Sequence, residues 1–92
     1  MNSAELDLLD TSIARIEGTS VAIVSCSGEA KRPDQSPYQP SRDPNEALRL
    51  VEKYIARVVR LSDGWAAVGL GGRASTGATL PIAVCIAVIE AQ

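Results

Sequence analysis

Histidine and phenylalanine are both missing from this chain of 92 residues, and tryptophan occurs once. Without histidine there is no imidazole base and no imidazole metal ligand. Two cysteines, Cys26 and Cys85, are too few for a disulfide framework. Both lie in apolar runs, so they read as buried free thiols of a reducing compartment. Rings are scarce, at 3% of the composition, while apolar residues together reach 46%. A core of Ala, Val, Ile and Leu gains less per residue than one built on rings, and a domain this small is marginal alone. Self-association is therefore expected.

A strong charge of either sign is missing too. Nine basic residues face eleven acidic ones, for a net charge of −2. That is not the basic footprint of a nucleic-acid binder. Arg49, Lys53, Arg57 and Arg60 alternate with Glu46 and Glu52, which reads as a solvated helix face. The longest apolar run, 80–89, is too short to span a membrane. The opening "MNSAELDLLD" is acidic and polar, unlike a signal peptide. A cytoplasmic protein is expected.

What is present divides the chain. Leu6, Leu9, Ile13 and Ile16 fall at helical spacing before Gly18, so 3–17 reads as a helix. A hairpin with 12–17 as its first strand is the competing reading. "SVAIVSCS", 20–27, reads as a strand. "GEAKRPDQSPYQPSRDP" then brings four prolines in seventeen residues. It reads as a flexible loop over 28–43, with Tyr38 as its only ring and Lys31, Arg32 and Arg42 among its charges. Such loops are either mobile surface or functional lids and arms.

Asp43-Pro44-Asn45-Glu46 sets an N-cap acceptor, a proline at the first helical position and a glutamate at the third. The pattern predicts one long amphipathic helix over 43–61, stopped by Asp63-Gly64. "WAAVGL", 65–70, reads as a strand. In "LPIAVCIAVIEA" large and small residues alternate over 82–89, which predicts a last strand, with a helix as the alternative. Ser75-Thr76-Gly77 would be the turn into it.

"AAVGLGGRAS" fits a dinucleotide glycine pattern, but Pro81 would interrupt the helix that pattern needs. With such a helix in place, the chain would end before a second strand could form and bind a ribose. The stretch therefore reads as a strand entering a hairpin loop, with Arg73 at its rim. The carboxylates show no spacing tied to an acid–base device, and a nucleophile near Ser25 or Cys26 would have only a lysine or a carboxylate as base.

"RIEGTSVAIVSCSGEA", "DGWAAVGL" and the alternating run 82–89 resemble a heavy-metal-binding family of small bacterial oligomers. That resemblance implies assembly and carries over no ligand residue. The β-α-β-β order with a tryptophan opening its second strand is similar to the dodecins, hollow flavin-storing oligomers. It implies that Trp65 stacks on a flat ring, although no glutamine stands at the family's place in "IAVCIAV". "YIARVV" through "GRA" is similar to Alba-type nucleic-acid-binding proteins, and implies a helix from Ser75 onward. An acidic protein gains little from the counterion release that drives such binding.

The sequence thus predicts one α+β domain over 1–92. An antiparallel sheet of three or four strands would carry the 43–61 helix on one face, in the order (α or β)-β-α-β-β. Its other face, rich in Ala and Gly, would be buried by self-assembly. The expected function is a non-catalytic module that forms a homo-oligomer or binds a small flat ligand, its cofactor unassigned. Trp65, Arg73 and Tyr38 are the candidate contacts; no catalytic or metal residue is assigned. The alternatives are an Alba-like nucleic-acid binder and a small enzyme using 28–43 as a lid.

Overall fold

The computed structural model describes residues 2–26 and 28–92. Helix α1 spans Ser3–Glu17. Asn2 caps it by accepting the Glu5 N–H, and Gly18 ends it at φ 91°, donating its N–H to the Ala14 carbonyl. A positive φ suits glycine at a helix exit. The helical reading of 3–17 holds over the hairpin, because Ile13 and Ala14 on one face enter the core.

The strand expected over 20–27 is much shorter. Strand β1, Ile23–Val24, pairs antiparallel with β2, Ala30–Lys31. Ser27 lies outside the described residues. The chain turns back early because Ser25 N–H bonds Glu29 O and Gly28 N–H bonds Ser25 O. Within 28–43, Tyr38 N–H bonds Ala30 O and Lys31 bridges Pro37. Tyr38 is 1% exposed, and Pro40 and Ser41 are buried with it.

Helix α2, Pro44–Tyr54, starts as the sequence predicts, with Asp43 accepting the Asn45 N–H. It does not run to residue 61. Strand β3, Ile55–Leu61, takes over at once. The apolar positions of 55–61 suit either period, and the β-branched Ile55, Val58 and Val59 favour a strand. Ser62 and Asp63 then turn the chain so that β4, Gly64–Gly69, lies antiparallel to β3. That partner lies within reach and decides the conformation.

The glycine stretch is a strand entering a hairpin turn, as expected: Gly69 N–H bonds Arg73 O across it. The C-terminal quarter of the chain departs from expectation. Residues 74–77 are not a turn but strand β5, Ala74–Gly77, paired with β4. Residues 82–89 are not a strand. They belong to helix α3, Leu80–Glu90, capped by Thr79, which accepts the Ile82 N–H, with Pro81 in the first turn. Ala83, Val84, Cys85, Ala87 and Val88 are all buried. Only the side bearing Ile82, Ile86 and Ile89 is partly exposed, and it is apolar as well, so the large–small alternation marks no sheet face.

The protein is therefore mixed α and β, with three helices and antiparallel sheets of two and three strands among the described residues. The expected single sheet under one long helix is not what forms. Instead α3 is central, packing on β4 and β5 and also on α1 and α2. The accessible surface is 5394 Å², close to the roughly 5,100 Å² of a folded monomer of this mass. Scarcity of rings does not leave the fold loose. No described helix is long and apolar enough to cross a membrane.

Candidate functional site

The three residues singled out from the sequence do not converge. Tyr38 lies in the 28–43 segment, its ring buried beneath the Arg32 guanidinium at 6.0 Å. Burial, then the charges of Glu17 and Glu46, push its hydroxyl above the ordinary phenol range. Trp65 is the second residue of β4, and Arg73 comes after the turn at the other end of that strand. Arg73 pairs with the Glu90 carboxylate at 3.5 Å and donates to the Glu90 carbonyl at 3.3 Å. Trp65 packs partly into the core, and Arg60 lies 5.8 Å from its ring centroid. A flat ligand on that ring would take the place of Arg60.

Tyr38 does line a cleft of about 170 Å³, together with Asp7, Asp10, Lys31 and Arg42. Its charges already have protein partners. Asp10, with 4% of its side chain exposed, accepts from Arg42 Nη2 at 2.7 Å and from Ser41 N–H at 2.9 Å. The same Arg42 nitrogen reaches Asp7 Oδ1 at 2.5 Å. These two carboxylates, Asp10 first, hold the guanidinium pKa above its usual value. Arg32 ties the same segment to Glu46 of α2 at 2.9 Å. Among the described residues no buried side-chain polar atom lacks a hydrogen-bond partner. The cleft is therefore a clasp joining 28–43 to α1 and α2.

The two cysteines separate. Cys26 is exposed in the β1–β2 turn, contrary to the expected burial, while Cys85 is buried in α3. No group of described Cys, Asp and Glu residues is arranged to hold a metal. The helix that the Alba comparison requires from Ser75 onward is not formed there: Ala74–Gly77 is strand β5, and α3 begins only at Leu80.

Groups without partners collect elsewhere, on β3. It is an edge strand, since the sheet runs in the order β3-β4-β5. Leu61 and Gly64 close the two-residue turn, and bonded and non-bonded pairs alternate from there. The backbone N–H and C=O groups of Val58 and Arg60 therefore point away from β4. Arg60 shares the α3 side of the sheet with its partners Trp65 and Gly77. Arg57 and Val59 lie on the opposite, uncovered side, with their partners Val68 and Ala66. Val59 is 40% exposed and Leu61 38%. Neither Arg57 nor Arg60 makes an ion pair among the described residues.

Sequence reasoning missed this edge because 57 and 60 were assigned to a helix face. The signal that reveals it is the β-branched Val58-Val59 close before Asp63-Gly64, a strand-and-turn cue. No family model, no curated protein and no solved structure matches this chain.

Proposed function

We propose that the protein is a non-catalytic binding module that takes a strand from a partner polypeptide on the free edge of β3. A single observation carries this reading: a seven-residue edge strand whose outward backbone groups are unpaired and whose Val59 and Leu61 are exposed. Unpaired strand edges are templates for strand addition. The other edge, β5, has four residues and packs closely against α3. Short edges of that kind resist pairing. Charged groups of the cleft are occupied by structural ion pairs, so they support stability rather than ligand capture.

The reading is tested by titrating the labelled protein with an end-blocked neutral hexapeptide, Thr-Gln-Val-Val-Gln-Thr, at millimolar concentration. The amides of Val58 and Arg60 should shift and exchange more slowly with solvent. Changes confined to other parts of the chain, or none, would sink strand addition at β3.

A further inference from the structure

We infer that the partner strand is acidic, with two carboxylates three positions apart bracketing two apolar residues. The inference rests on the strand-addition reading above and adds the partner's chemistry. Among the described residues six basic side chains already form ion pairs: Lys31, Arg32, Arg42, Arg49, Lys53 and Arg73. Arg15, Arg57 and Arg60 do not. Two of those three cations stand on β3, the seven-residue edge strand, in a protein whose net charge is −2.

The same charges select against a second copy. Strand β3, "IARVVRL", carries no acidic residue. Pairing two β3 edges would gather four arginines with nothing on either strand to offset them, a repulsion that commonly guards strand edges. An acidic strand reverses the sign of that interaction, so one feature both repels self and selects a partner.

Geometry sets the spacing. Arg57 and Arg60 are separated by roughly 10 Å along the strand and project from opposite faces. Carboxylates opposite them must likewise be three residues apart, one on each face. Between them the incoming residues lie beside Val58 and Val59, which favours apolar side chains there. Arg60 is held over the Trp65 ring, so its guanidinium is partly ordered before a carboxylate arrives.

The test compares three end-blocked peptides, Thr-Glu-Val-Val-Glu-Thr and its Gln and Lys counterparts, by amide shifts on the intact protein. The Glu peptide should bind roughly tenfold more tightly than the Gln peptide at low salt, and the gain should shrink as salt rises. In the double variant Arg57→Glu, Arg60→Glu the preference should pass to the Lys peptide. Retained binding of the Gln peptide shows that this variant keeps its edge intact. If all three peptides bind β3 equally, the acidic preference is overturned and strand addition survives. If none perturbs the Val58 amide, both fall. A concentration-dependent dimer that protects that amide would overturn the foreign partner in favour of self-pairing.

Discussion

Asp10 of α1 accepts hydrogen bonds from two successive residues of the proline-rich segment, the Ser41 backbone and the Arg42 side chain. A buried carboxylate here organises a stretch with little regular structure. Asp10→Ala would leave the Ser41 N–H without its acceptor and Arg42 with Asp7 alone. The expected loss is about 2–3 kcal/mol, below that for a wholly buried pair because 32% of the Arg42 side chain is exposed. Urea unfolding measures it. A change within experimental error of zero would show that the clasp contributes nothing.

Cys85 and Cys26 should differ sharply in reactivity. Burial, then the charge of Asp10, push the Cys85 thiol well above its ordinary value, and it is the thiolate that reacts. An aromatic disulfide reagent at pH 8 should titrate one thiol in the native protein and two in denaturant. Rapid native reaction of both would contradict the enclosed α3.

The raised Cys85 thiol and Tyr38 hydroxyl carry a pH consequence. The unfolded chain releases these protons first, near about pH 8.5 for the thiol and 10 for the phenol. The folded protein then holds more protons than the unfolded one, so stability falls as pH rises through that window. Urea midpoints should drop steadily above it. A flat profile into the alkaline range would count against burial of both groups.

Gly77 and Gly71 should respond oppositely to alanine. A Cβ on Gly77 would lie 2.7 Å from Ala83 N and 2.8 Å from Ile82 Cγ2, where α3 crosses β5. Gly77→Ala should cost about 1–3 kcal/mol by overpacking. Nothing lies within 4 Å of a Cβ on Gly71. Gly71→Ala should be neutral or stabilising by up to ~1 kcal/mol through the unfolded state. Equal thermal shifts in the two variants would refute the close helix–strand contact.

Removing Arg60 should uncover the single tryptophan. Arg60→Ala is expected to increase acrylamide quenching of Trp65 while the unfolding midpoint moves little, because the arginine is exposed and makes no ion pair among the described residues. Unchanged quenching would mean that the guanidinium does not shield the ring.

Legibility tracked locality. Asp43, Pro44 and Glu46 identify the α2 start because a cap needs only neighbours within one turn. Gly18 marks the α1 exit for the same reason, and the β4 strand is evident from its own pattern. Thr79 and Pro81 start α3 in the structure, whereas the regular alternation of 82–89 reads locally as a strand. The clasp was not legible, because Asp10 and Arg42 lie 32 positions apart and nothing in either neighbourhood names the other.

Composition and local chemistry determined where α2 begins, where α1 ends, where the glycine turn falls and that both α and β elements occur. Only packing decided that 55–61 extends and that 80–90 coils. Apolar residues in those segments satisfy both periods, so the choice passed to the surroundings. For 55–61 an antiparallel partner lay two residues away. For 80–90 a sheet and two helices bury Ala83, Val84, Cys85, Ala87 and Val88, positions that fill one helix side and do not follow the alternation of a strand.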